Sequence, residues 1–86
     1  MNEGDVITVD LEYRICCDEC NEVIGIYFEE QCPCCNKKYA STSIDMLLYQ
    51  VIGHNFTCNE CNTEFKLLSE DYPDAIVEVI KVNINE

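Results

Sequence analysis

The sequence predicts a small α+β domain, built of antiparallel β-hairpins and one short helix and held by cysteine-rich turns. Three observations carry this: eight cysteines in 86 residues, strict two-residue alternation near the start, and a helical period in the middle. A chain of this length buries only about 60–65% of the surface that its unfolded form exposes. Its apolar core is therefore marginal, and cysteines offer a staple, as disulfides or as metal ligands.

Residues 5–15 alternate, with Ile7, Val9, Leu11, Tyr13 and Ile15 on one side and Thr8, Asp10, Glu12 and Arg14 on the other. Period two over this length is a half-buried strand. Val23–Phe28, short, β-branched and aromatic, reads as a second strand. The helix is expected at about 43–52, because Ile44, Leu47, Leu48, Val51 and Ile52 fall at i, i+3, i+4, i+7 and i+8. Thr42 with Asp45 fits a capping box and Gly53 a C-terminal stop, while a strand over "MLLYQVI" is the alternative. Short strands follow at Asn55–Thr57 and Glu64–Leu68, then a turn at "SEDYPD" and a closing strand over 75–84 that pairs near the first.

Seventeen acids face five bases, a formal charge of −12. Nucleic-acid binding needs Lys and Arg to neutralise phosphates. The only adjacent bases are Lys37 and Lys38, so direct DNA or RNA binding is not expected. The start, "MNEGDVITVDLEYR", has neither the positive charge nor the apolar stretch of a signal peptide, and nothing later reads as a membrane span. The expectation is a cytoplasmic, reducing setting, where Cys-X-X-Cys spacing reads as metal binding rather than disulfide.

That spacing occurs three times with one follower: "CDECN" at 17–21, "CPCCN" at 32–36 and "CNECN" at 58–62. Two thiolates separated by two residues can grip one metal from a tight turn, with the backbone amides past the first cysteine turned toward the sulfurs. The residue after the second cysteine often needs a left-handed backbone, which Gly and then Asn adopt most readily. Asn21, Asn36 and Asn62 occupy those places. The candidate metal ligands are therefore Cys17, Cys20, Cys32, Cys35, Cys58 and Cys61, with one or two zinc ions as the cofactor and iron as the alternative. The chain reads as a single domain, 1–86, with an internal repeat that lays 13–26 over 54–67, matching Cys17 to Cys58, Cys20 to Cys61 and Ile24 to Phe65.

"YRICCDECNEVIGIYFEEQCPCCNKKY" resembles the zinc-ribbon and rubredoxin-like knuckle families: Tyr13, then Cys17 and Cys20, a short hairpin, then Cys32, Pro33 and Cys35. The resemblance implies a zinc-ribbon-like fold and, at the family level, a place in transcription or other nucleic-acid machinery. The sequence departs from rubredoxin in having Asn after each knuckle, no Trp and a third knuckle.

Three pairings remain open. Cys17, Cys20, Cys32 and Cys35 could form one site, with Cys58 and Cys61 recruiting Cys16, Cys34 or His54 for a second. The repeated units could instead face one another, so that Cys17, Cys20, Cys58 and Cys61 share a metal. Or a spare pair could meet its twin in a homodimer. Cys16 reads as a small buried residue and His54 as a surface or helix-terminus residue.

No enzyme is expected. Closed thiolate sites are structural, and one histidine provides no nucleophile–base set. The reading that follows is a small acidic zinc-binding regulator or inhibitor acting by protein–protein interaction. It would dock on a basic, nucleic-acid-handling partner such as a polymerase or nuclease, in the manner of a nucleic-acid mimic. Asp10, Glu12, Glu29, Glu30, Glu70, Asp71 and Asp74 are the candidate contacts. The alternatives are a rubredoxin-like iron electron carrier and a subunit whose apolar helix face at 44–52 completes a partner's core.

Overall fold

The computed structural model describes residues 2–16, 19–71 and 74–82, with 43, 45, 46, 48 and 71 described through their backbone alone. Among the described residues six strands form one antiparallel sheet: β1 (Val6–Ile15), β2 (Glu22–Phe28), β3 (Ser41–Leu47), β4 (Asn55–Thr57), β5 (Glu64–Asp71) and β6 (Asp74–Lys81). Their spatial order is β3-β2-β1-β6-β5-β4.

The alternation read in the first strand is the alternation of its burial from Ile7 to Arg14, but Ile15, read on the apolar side, is exposed. Val9 and Leu11 are buried and Ile7 and Tyr13 half-buried, while Thr8, Glu12 and Arg14 face out. β1 divides its length between two neighbours. Val6 to Asp10 pair with β6, with Val9 opposite Ala75 and Asp10 opposite Asp74. Leu11 to Ile15 pair with β2, with Leu11 opposite Phe28 and Ile15 opposite Val23. The expected pairing of the closing strand with the first is thus present. Residues 83 and 84, included in that expected strand, lie outside the described residues, as do Tyr72 and Pro73 of the expected turn.

The sheet curls until its ends meet. Phe28 of β2 and Phe65 of β5 pack edge-on with ring centroids 5.4 Å apart, and Phe65 stacks on Phe56 of β4 at 5.6 Å. Strands second and last in the sheet order therefore share one aromatic core. Such pairs contribute about 0.5–1.5 kcal/mol beyond their buried area. At the seam, the Thr57 amide donates to Thr42 Oγ1 at 3.2 Å and the Asn59 amide to the Ser41 carbonyl at 2.8 Å. The result is a nearly closed, barrel-like all-β fold.

This corrects the α+β expectation. No α-helix occurs among the described residues, and the region read as a helix at 43–52 is strand β3 followed by a single 3₁₀ turn, Leu48–Gln50. The physical reason is pairing. The segment opens with Ser41-Thr42-Ser43-Ile44, weak helix formers, and lies along the open edge of β2, with Thr42 opposite Ile26 and Ser43 opposite Gly25. Thr42 is buried and Ile44 half-buried against the core, whereas Leu47 and Ile52 of the supposed apolar face are exposed. Gly53 has φ of +89° and closes a turn, its amide donating to the Leu67 carbonyl at 2.7 Å, rather than ending a helix. No helix among the described residues is long and apolar enough to cross a membrane.

Candidate metal centre

The middle and third knuckles are built alike. The Cys32 amide donates to the Lys37 carbonyl at 3.0 Å, and the Asn36 amide returns to the Cys32 carbonyl at 2.9 Å. In the third, the Cys58 amide donates to the Thr63 carbonyl at 3.0 Å and the Asn62 amide to the Cys58 carbonyl at 2.8 Å. Both turns require a left-handed residue at their end, and Asn36 and Asn62 supply it with φ of 59° and 60°. Asn21 does the same with φ of 51°. The asparagines are thus explained by the backbone they adopt. Inside each turn, the amides of Cys34 and Cys35 point at Cys32 Sγ, and those of Glu60 and Cys61 at Cys58 Sγ.

The curl of the sheet brings these two turns together. Cys32 Sγ lies 3.9 Å from Cys61 Sγ, Cys35 Sγ lies 4.0 Å from Cys58 Sγ, and all four sulfurs fall within 4.8 Å of one another. Zinc–sulfur bonds of about 2.3 Å in a tetrahedron place sulfurs about 3.8 Å apart. Cys32 and Cys58 are fully buried and Cys35 and Cys61 half-buried. These four cysteines could hold a metal ion.

Burial pushes the Cys32 thiol well up, and it pushes Cys58 up in the same way. Burial acts on Cys61 in that direction too, but hydrogen bonds from Thr63, Cys58 and Cys35 outweigh it and bring that thiol down to about 7. Thr63, fully buried, sits against two sulfurs: its hydroxyl oxygen is 3.3 Å from Cys61 Sγ and donates to Cys34 Sγ at 3.1 Å. A bound dication would hold all four sulfurs as thiolates and satisfy them together. Four thiolates leave no position for substrate and quench the ion's acidity, so the site can brace the fold but offers little to a reaction.

The grouping differs from the first two pairings that the spacing left open, in both of which Cys17 and Cys20 share the ion. β2 explains why. The first knuckle caps the β1–β2 hairpin at the Glu22 end, while the middle knuckle follows Phe28 at the other. Six residue steps of about 3.3 Å put roughly 20 Å between those ends, which no shared ion can span.

Of the six cysteines singled out by spacing, the structure brings Cys32, Cys35, Cys58 and Cys61 together. Cys20 lies instead with Cys16 and Glu22 in a second group whose ligand atoms are within 4.8 Å of one another. Cys17 lies outside the described residues. Cys16 is exposed, against the expectation that it is buried, and exposed His54 belongs to neither group. Glu22 and Thr63 were missed by the sequence reading. The repeat holds the signal, since each stands two residues after the last cysteine of its knuckle. The same repeat matched Ile24 to Phe65, but Ile24 is exposed and Val23 is the fully buried residue, because a bulge shifts the register between Val23 and Gly25.

Comparison with known proteins adds no assignment: no family model, curated protein or solved structure matches the chain.

Proposed function

We propose that this chain is a non-catalytic, zinc-stapled protein that acts by docking its acidic surface on a basic, nucleic-acid-handling partner such as a polymerase or nuclease. In this reading it serves as a regulator or inhibitor that occupies a groove meant for nucleic acid. The observation that carries the proposal is the placement of Asp10 directly opposite Asp74 across β1 and β6. The two carboxylates are close enough that a hydrogen bond with Asp10 holds the proton of Asp74 more tightly than usual. Like charges directly opposite one another cost stability. Solubility alone, at a formal charge of −12, does not require such an arrangement.

Other acids gather around this pair. The Glu29 amide donates to the Asp10 carbonyl at 3.1 Å, and Glu30 follows it. Asp71 pairs with Asp74 across β5 and β6. Two of the few cations are turned onto aromatic rings, Arg14 over Tyr27 at 5.3 Å and Lys38 over Tyr39 at 5.0 Å. A ridge of closely spaced carboxylates on a rigid, metal-braced sheet suits a partner surface shaped for phosphates.

The test is affinity capture with the zinc-loaded chain, identification of what binds, and titration of that complex with salt and with DNA or RNA. Binding should weaken steeply with salt, be displaced by nucleic acid, and fall in the Asp10→Asn and Asp74→Asn variants. Salt-insensitive binding, or binding unaffected by nucleic acid, would remove the mimicry reading. Iron in protein purified without added metal would shift the reading to electron transfer, since four thiolates accept either metal.

A further inference from the structure

We infer that Tyr39, with Glu29, Glu30 and Gln31, seats an arginine side chain of the protein partner; this rests on the docking reading above. Tyr39 has φ of 59°, a left-handed angle in which Cβ crowds the following carbonyl. Among the described residues, the other non-glycine positions with positive φ are all asparagine: Asn21, Asn36 and Asn62. Glycine and asparagine adopt this angle most readily, so the turn itself does not call for an aromatic ring.

The core does not call for it either. Tyr39 is 62% exposed, whereas Ala40 next to it is buried. The Tyr39 amide donates to the Glu30 carbonyl at 3.2 Å, and Gln31 pairs with Lys38 across the base of the middle knuckle. The strained backbone is thus pinned while the ring it carries stands in solvent. Strain kept at an exposed position in this way marks a residue that serves a contact rather than stability.

The residues around the ring indicate the chemistry of that contact. Tyr39 lines a cleft of about 460 Å³ with Glu29, Glu30, Gln31 and Lys38. Lys38 Nζ lies 5.0 Å from the ring centroid, so the chain's own ammonium already rests on the aromatic face. The face therefore accepts a cation. A guanidinium is the cation that fits best, because its five donors lie in one plane that also stacks on a ring. An incoming arginine displaces Lys38 from the ring and gives its N–H groups to Glu29 and Glu30. A nucleic-acid base would stack on the same ring, but the glutamates and a formal charge of −12 repel its phosphates.

The experiment titrates the full, zinc-loaded chain against a labelled hexa-arginine peptide, read by fluorescence anisotropy at fixed salt. Tyr39→Gly should weaken binding by about fivefold or more, and Tyr39→Phe should keep most of the parent's affinity. Lys38→Ala vacates the ring and should strengthen binding by about threefold more than Lys37→Ala, which removes the same charge next door. In denaturant, Tyr39→Gly should unfold at a midpoint no lower than the parent's, since glycine relieves the left-handed angle. Unchanged peptide affinity in Tyr39→Gly, or equal effects of the two lysine substitutions, would overturn the inference. So would a destabilised Tyr39→Gly, which would make the ring structural. Tighter binding of a labelled oligothymidine than of the peptide would overturn it too, making the ring a platform for bases. The docking reading fails on other outcomes, salt-insensitive capture or indifference to Asp10→Asn and Asp74→Asn, so the two failures are distinguishable.

Discussion

The hydroxyl oxygen of Thr63 lies 3.3 Å from the sulfur of Cys61, in a position with no exposure to solvent. This contact links the third knuckle to the start of β5 and, through the 3.1 Å bond to Cys34, to the middle knuckle as well. A metal-bound Cys61 thiolate has no proton to donate, so the Thr63 hydroxyl supports it by turning its own proton from Cys34 Sγ to Cys61 Sγ. Thr63→Val removes that proton at constant shape and should lower metal affinity by about 10- to 100-fold. Thr63→Ser should restore most of it. Competition with a coloured chelator measures both, and equal affinities in all three proteins would show that the hydroxyl only fills space.

The neighbouring cysteines 34 and 35 should behave in opposite ways. Cys35 Sγ faces Cys58 Sγ at 4.0 Å, whereas Cys34 Sγ accepts from Thr63. Cys35→Ser should abolish tight binding at the four-thiolate centre, and Cys34→Ser should leave the metal content unchanged. Metal analysis of the two purified variants decides it.

Asn62 and Asn36 hold left-handed backbone with φ of 60° and 59°. Asn62→Ala should destabilise the metal-loaded protein by about 1–2 kcal/mol, because a Cβ there meets the following carbonyl without the local hydrogen bonds that Asn offers. Asn62→Gly should be close to neutral. Denaturant titration of the loaded protein gives both values. A loss in Gly as large as in Ala would mean that the Asn side chain, not the backbone angle, is what matters.

Asp74 carries a raised pKa, chiefly through its hydrogen bond with Asp10. A carboxylate whose folded pKa is raised binds its proton more tightly when folded, so its contribution is favourable below the unfolded value and is lost as pH rises through the folded one. Asp74→Asn should therefore raise the unfolding midpoint at neutral pH, and this advantage should shrink as pH falls toward the carboxylate range. Parallel denaturation of parent and variant from pH 8 to pH 4 checks the sign. A variant less stable than the parent at neutral pH would show that the pair is favourable as it stands.

Phe65 is fully buried and touches both Phe28 and Phe56. Phe65→Ala should cost about 3–5 kcal/mol. It should also weaken the metal centre, because the same packing holds the β4–β5 turn against the middle knuckle. Unfolding midpoint and metal affinity should fall together. An undiminished affinity in a destabilised variant would separate the core from the site.

The parts of this protein legible in the sequence are those decided within a few residues. The alternation of Ile7, Val9, Leu11 and Tyr13 needs only the pleat of a strand. The turns at 32–36 and 58–62 need only two cysteines and an asparagine able to adopt positive φ. Segment 41–52 was not legible in this way, because its apolar spacing suits a helix while its neighbour β2 offers an open edge to a strand. The edge prevailed, since tertiary pairing overrides a weak local preference.

The amino-acid sequence by itself determined that knuckles form and which atoms they present, because backbone angle and thiol spacing are local properties. Only the tertiary structure decided which knuckles meet. Cys32 and Cys61 are 29 residues apart, and Cys35 and Cys58 are 23 apart. They face one another because the sheet curls around Phe28, Phe56 and Phe65, whereas the length of β2 holds the first knuckle away at its far end. Spacing along a chain sets the geometry of a turn, but the distance between turns is set by the strands that separate them and the core that bends those strands together.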